Sequence, residues 1–304
     1  MLSGGTGTPK LLQGIQAIPS IDLTVIANTG DDWEFYGLHV SPDCDSVLFS
    51  LAGILDQHKT WGIAGDTFDL VDGLKTLLQD DVWFNLGDRD AAISLFRTFL
   101  LSKGKTLTEA TQIISCRLGI SATVLPMTNE PVQTIIQTEM GQMHLEEYWV
   151  RDHGDHEVQK VTFRGAAEAR VIPAVKGAIE DADVLIIGPS NPISSIGPIL
   201  EVGEMREIIM SCSARRVAVS PIVGVTPLSG PAGKFMKAMG YGTSPVEVAR
   251  YYNGLIDELF IDQTDSSFAK QVSQFAVPRL APLIMQNLDA KIHLAQVVLR
   301  DNYS

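Results

Sequence analysis

Two stretches about two-thirds along the chain carry unbroken apolar runs that end in Gly, Pro and Ser. They are Val184-Leu185-Ile186-Ile187-Gly188-Pro189-Ser190-Asn191-Pro192 and Val217-Ala218-Val219-Ser220-Pro221-Ile222-Val223-Gly224. A short apolar run without alternation reads as a strand buried on both faces. Proline after it cannot extend the ladder, because it lacks the N–H. Two parallel strands are therefore expected to end side by side in small polar loops, where open α/β sheets bind ligands. The start of the chain repeats the theme. Residues 23–27 read as a short buried strand ending at Asn28-Thr29-Gly30-Asp31-Asp32, after a helix opened by Pro9 with Leu11, Leu12 and Ile15 on one side.

Other segments have different periods. Residues 68–119 read as helices without a buried strand, forming an insertion that carries Leu86-Gly87-Asp88-Arg89-Asp90. Alternation then takes over: Val132, Thr134, Ile136 and Thr138, then His144, Glu146, Tyr148 and Val150. Both sets read as strands with one solvated face. The βα pattern resumes at Ala174, with a final strand expected at 258–261 and a C-terminal helix at 283–300. The expected fold is α/β: a Rossmann-like, mostly parallel sheet with helices on both faces and a smaller helical insertion. One domain over 1–304 is expected. Only two residues precede the turn at Ser3, so the first strand is expected to be very short or partly missing.

Composition narrows the function. The chain has 304 residues, 45% of them hydrophobic, enough for a large core. A net charge of −13 argues against nucleic acid or an anionic membrane as partner. Cys44, Cys116 and Cys212 are isolated, which suits a reduced cytoplasm. No apolar run is long enough to suggest a membrane span.

Candidate chemistry gathers at the Gly-rich turns. Ser3-Gly4-Gly5-Thr6-Gly7-Thr8 could cradle a phosphate at a helix N-terminus or be a plain turn. It has the spacing of neither a P-loop nor a dinucleotide fingerprint. Asp31, Asp32, Asp43 and Asp45 could hold Mg²⁺ or a hydroxyl, although each alone could simply cap a helix or favour a turn. Arg89, between Asp88 and Asp90, suits a phosphate or a polar ring edge. Ser190 and Asn191, Ser220, and the later phrase Ser229-Gly230-Pro231-Ala232-Gly233 add loops that together suit a nucleotide diphosphate. No histidine spacing suggests a metal. Trp33, Tyr36 and Trp61 belong to the core or form a stacking wall.

These phrases, with Lys10-Leu11-Leu12, Ser41-Pro42-Asp43-Cys44-Asp45-Ser46-Val47-Leu48 and Ile193-Ser194-Ser195-Ile196-Gly197-Pro198-Ile199, resemble the archaeal 2-phospho-L-lactate transferases over nearly the whole chain. The chain departs from that pattern in its short lead before Ser3, which would weaken the sheet and loosen the phosphate loop, and at Cys44. The resemblance implies transfer of phospholactate from lactyl-2-diphospho-5′-guanosine to the deazaflavin alcohol Fo, giving GMP and the tail-less coenzyme F-420, with Mg²⁺ required. On that reading Asp31 or Asp45 holds Mg²⁺, and Asp43 or Asp45 orients the hydroxyl or takes its proton. Gly4, Gly5, Thr6, Gly7, Thr8, Lys10, Asp45, Asp88, Arg89, Gly188, Ser190, Asn191, Ser220, Gly230 and Gly233 contact substrate. A donor derived from phosphoenolpyruvate, or a nucleotide-sugar-binding regulator of the same superfamily, are the alternatives. A homodimer is expected, because the helix holding Val246, Val248, Tyr251 and Tyr252 carries more aromatic surface than one core face needs.

Overall fold

The structure is a computed structural model that describes residues 1–78, 82–228 and 230–299. The N-terminal part runs β1 (Leu2–Ser3), α1 (Thr8–Gln16), β2 (Thr24–Ala27), β3 (Trp33–Phe35), β4 (Leu38–Val40) and α2 (Pro42–Leu51). The stretch expected to be helical holds α3 (Asp69–Leu78), α4 (Asp88–Ser102) and α5 (Leu107–Arg117). Next come β5 (Thr123–Pro126), β6 (Gln133–Thr138), β7 (Gly141–His144) and β8 (Lys160–Arg164). Then follow α6 (Pro173–Glu180), β9 (Val184–Ile187), α7 (Gly197–Leu200), α8 (Met205–Ser211) and β10 (Arg215–Val219). The C-terminal part has β11 (Ile222–Val223), β12 (Thr226–Pro227), α9 (Ala232–Ala238), α10 (Pro245–Tyr251), β13 (Glu258–Asp262), α11 (Ala269–Val272), β14 (Val277–Ala281) and α12 (Leu288–Leu299).

Seven strands form one parallel sheet in the order β14-β13-β10-β9-β1-β2-β5. Alternate residues of each strand feed opposite cores, as the pleat requires. Leu2, Ile26, Leu185, Ile187 and Leu259 face α6, α8, α9 and α10. Val25, Ala27, Ile186, Val217 and Phe260 face α1, α2 and α12. The fold is thus the doubly covered parallel sheet that the apolar runs called for. β1 is short, yet it sits at the centre, pairing with β2 on one side and β9 on the other. The chain order reverses direction across this strand, so the crevice for a ligand lies at its carboxyl end.

Four readings need correction. Residues 144–150 are not a strand beyond His144: Glu147–Arg151 forms a π-helical turn. The Glu147 carboxylate accepts the His144 N–H at 2.9 Å, and Tyr148 turns into the core with its hydroxyl on the Gly154 and His156 carbonyls. Alternation there recorded one buried helical face, not a pleat. The last strand is β14, which is an edge strand and so tolerates Pro278. The final helix begins at Leu288 rather than at 283, and Arg300, its expected end, lies outside the described residues. Finally, Tyr252 is buried and Tyr251 packs beside it and Tyr241, so the α10 tyrosines that motivated a dimer face inward.

One polar contact ties the helical insertion to the sheet. Arg97, on α4, is fully buried and grips Asp45, on α2, with both terminal nitrogens; one of them also donates to the His39 carbonyl at 3.2 Å. Burial works against both charges and raises Asp45, while at Arg97 the Asp45 carboxylate outweighs burial and holds the guanidinium charged. Arg97→Met would strand Asp45 without a counter-ion and is expected to cost about 3–5 kcal/mol in urea unfolding. Asp45→Leu with Arg97→Met should regain most of that. A loss under about 1 kcal/mol for the single variant would contradict the pair's role.

Candidate active site

A cavity of about 510 Å³ opens over the carboxyl ends of the central strands. Its floor is built from loops that each follow a strand. The turn after β1 contributes Gly5 and Thr6, the turn after β2 contributes Asp31, and the loop after β9 contributes Asn191. The first turn of α2 adds Asp43, Asp45 and Ser46. Carboxylates suit that position, next to the positive end of the helix dipole.

Local hydrogen bonds fix these groups. Asn28 makes an Asx turn by accepting the Gly30 N–H at 2.8 Å, and its amide donates to Asp43 Oδ2 at 2.8 Å. Gly5 donates its N–H to the same carboxylate, and a methyl group on Gly5 would overlap it. Asp31 lies close to Asp43, and its Oδ1 is buried without a partner. Nearby, Asp32 is held by Ser41 Oγ at 2.6 Å and His39 Nε2 at 2.9 Å.

The electrostatics are unusual for a site expected to hold an anion. Asp31, Asp43, Asp45, Asp90 and Glu146 all line the cavity, and none of its described lining residues is Lys or Arg. Only Asp45 has a counter-ion, Arg97. The others respond by holding protons. Burial, then the charges of Asp43 and Glu146, raise Asp31 well above the carboxylate range. Burial lifts Asp43 to about 6, against the opposing hydrogen bond from Asn28. Burial, then Asp43 and Asp32, lift Glu146 to about 8. Burial and then Asp45 lift Asp90 to about 8.

The expected substrate contacts divide in two. Gly5, Thr6, Asp31, Asp43, Asp45, Asn191 and Gly230 do meet in the cavity. The others lie elsewhere among the described residues. The N–H groups of Gly4 and Thr8 donate to Ser190 Oγ at 3.2 and 3.4 Å, and the Thr8 and Ser190 hydroxyls lie 2.7 Å apart. Gly7 and Gly188 permit this contact, since added methyl groups would strike the Pro189 carbonyl and Thr8 respectively. These residues lock the two loops together rather than line the cavity, and the short first strand does not loosen the turn. Ser220 bonds its own loop at the Ile222 carbonyl. Asp88 accepts from Thr67, Asp69 and Leu70, and Arg89 is exposed with its guanidinium on the Ala64 carbonyl. Lys10 lies on α1 near Lys291, and Gly233 packs on Thr243. Ser229 lies outside the described residues.

The cavity also has an aromatic wall of Trp61, Trp83, Phe84, Trp149 and Phe235. Trp61 was among the expected stacking residues; Trp33 packs on His144, and Tyr36 donates its hydroxyl to the Phe84 carbonyl instead. Glu146, Asp90, Ser194 and Ser195 were missed as site residues. Asp90 was legible inside the Gly-Asp-Arg-Asp phrase, but Glu146 was hidden by its false alternation. Asn191 spends its carbonyl oxygen on the Ile193 and Ser194 N–H groups, which leaves its buried amide nitrogen without a partner at the cavity. No three His, Cys, Asp or Glu side chains among the described residues group as a metal site. No described helix is long and apolar enough to cross a membrane.

The comparisons with known proteins agree with one another. The family model described as 2-phospho-L-lactate transferase CofD matches residues 1–293. Proteins named 2-phospho-L-lactate transferase from Methanosarcina acetivorans and Methanocaldococcus jannaschii are 42% and 40% identical, each over 98% of this chain and over 97% and 96% of their own. The one from Methanopyrus kandleri is 42% identical over 99% of this chain and 96% of its own. A crystal structure of a UPF0052-family protein from Bacillus halodurans shares the fold, with a TM-score of 0.67 over 98% of this chain and 97% of that one, at 18% identity. With the family match running from the first residue almost to the end of the described chain, this protein belongs to the 2-phospho-L-lactate transferase family.

Proposed function

We propose that this protein transfers the phospholactyl group of lactyl-2-diphospho-5′-guanosine to the terminal hydroxyl of the deazaflavin alcohol Fo, releasing GMP, in coenzyme F-420 biosynthesis. The observation that carries this reading is the cavity's charge. A site lined by five carboxyl groups, with His153 but no Lys or Arg among its described lining residues, suits a diphosphate that arrives together with a cation. Asp31 and Asp43 fit Mg²⁺: they lie close together and leave one buried oxygen unpartnered. Mg²⁺ typically takes one or two carboxylates and completes its shell with water and ligand phosphates, which is consistent with a site of fewer than three acidic ligands. Bound there, the ion would neutralise the donor's diphosphate and the departing GMP. Asp45 is the weaker candidate, since Arg97 already holds both of its oxygens.

The residues of the chain then position and deprotonate. The Asn191 amide and the serines after it face the donor's oxygens, and the aromatic wall receives the flat ring of Fo. The hydroxyl oxygen bonds to the phosphorus that bears lactate, the bond to the GMP oxygen breaks, and the hydroxyl proton passes to a carboxylate. Were Asp31 and Asp43 to hold the cation, its charge would favour release of the Glu146 proton, and the ionised Glu146 is the buried carboxylate left beside them to accept the hydroxyl proton.

Three outcomes test the reading. Asp31→Asn and Asp43→Asn should each cost at least ~10²-fold in the rate of product formation from Fo and donor. Glu146→Gln should lose rate to a similar degree while keeping Mg²⁺-dependent nucleotide binding; a normal rate removes Glu146 from the reaction. In calorimetry, GDP should bind more tightly with Mg²⁺ than without, and more tightly than UDP-sugars. Equal affinities would favour the regulator. A separate outcome concerns pH. Carboxyl groups at about 6 and 8 in the fold, against ordinary values of 3.8 and 4.5, hold protons that the unfolded chain has released. Their contribution to stability therefore falls as pH rises from about 4 to 8. Urea titrations of the metal-free protein should show that decline, and Mg²⁺ at pH 8 should reverse it; a flat profile would contradict the shifts.

A further inference from the structure

Asp90 is the one acidic group of the cavity with neither a counter-ion nor a role in the chemistry above. It sits in the first turn of α4, where its N–H donates to Asp66 at 3.2 Å, and its carboxyl lines the cavity beside Trp83 and Phe84. Its Oδ1 is buried with no hydrogen-bond partner. Arg97 lies two helical turns along the same face, but its terminal nitrogens are committed to Asp45. An unsatisfied polar atom inside a fold is uncommon and calls for an explanation. One that borders a ligand cavity is explained by the ligand.

We propose that the Asp90 carboxyl reads the lactam edge of a planar ring held against the aromatic wall, donating its O–H to the ring carbonyl and accepting the neighbouring ring N–H. A neutral acid carries one donor and one acceptor side by side, which matches such an edge; an ionised carboxylate only accepts. The groups around Asp90 favour the neutral form: Asp45 and Asp66 oppose a further negative charge, burial does the same, and Arg97 opposes them only in part. The inference rests on the function proposed above, whose acceptor Fo carries a pyrimidinedione ring. Guanine also presents a carbonyl beside an N–H, so the donor's base is the second source of this edge. The acceptor is favoured because Asp90 adjoins the aromatic wall, whereas the loops after β1 and β9 lie on the cavity's floor.

The test is equilibrium binding to the whole protein of two probes separately, the fluorescent deazaflavin alcohol and GDP with Mg²⁺. Asp90→Leu should weaken deazaflavin binding about tenfold or more, the loss of two hydrogen bonds. Asp90→Asn, whose amide keeps a donor beside an acceptor, should stay within about threefold of the parent. GDP binding should be unchanged in both, which also reports that both variants are folded. Deazaflavin binding by Asp90→Leu equal to the parent's would overturn the assignment. So would an Asn variant as weak as the Leu variant, or a loss confined to GDP. A parent protein that binds no deazaflavin would overturn the proposed function itself, and this assignment with it.

Discussion

An excess of negative charge at the strand ends governs this molecule. Five carboxyl groups meet in one cavity inside a chain whose net charge is −13. Buried charges of like sign cannot all stay ionised in a medium that screens poorly. Each group is settled differently. Asp45 has Arg97, Asp43 has Asn28 and the Gly5 N–H, and burial, then Asp43 and Glu146, hold Asp31 well above the carboxylate range. Asp90 and Glu146 keep their protons to about pH 8. The helical insertion serves this arrangement directly, because α4 carries both the cation that fixes Asp45 and the carboxyl that remains unpaired.

On the proposed function, the same carboxyls would favour an anion that arrives with a divalent cation, which would take the place of their protons. In the Gly-rich turn after β1 the Gly4 and Thr8 N–H groups go to Ser190 Oγ, which ties the turn to the loop after β9, while Gly5 and Thr6 line the cavity.

Much of this was legible in the residues. Doubly buried strands leave unbroken apolar runs, so β9 and β10 and their polar ends could be read directly. Asp31 and Asp43 stood out because aspartates clustered beside Gly turns at strand ends have few purely structural uses. Other features left no local signal. The partner of Asp45 is 52 positions away and looks like any polar residue of an amphipathic helix. Residues 144–150 alternate because a π-helical turn, widened beyond 3.6 residues, buries Tyr148 and Glu146 while exposing Trp149. β14 was hidden by being at the edge: with most of its side chains outside the core, it has the composition of a loop.

The two-residue strand at the centre of the sheet has a consequence for how the protein folds. Leu2 pairs with Ile26 on one side and with Ile187 on the other, so the middle of the sheet joins residues separated by most of the chain. Local contacts such as α1 on α2 form early, at little entropic expense, while a closure of that span is slow. During synthesis β1 therefore waits for β9 before its second neighbour exists. The Ser190 hydroxyl that joins Gly4 to Thr8 arrives with that strand, and the crevice between β1 and β9 is absent until it does. A chain interrupted between residues 90 and 187 keeps its cavity aspartates but has no cleft to put them in.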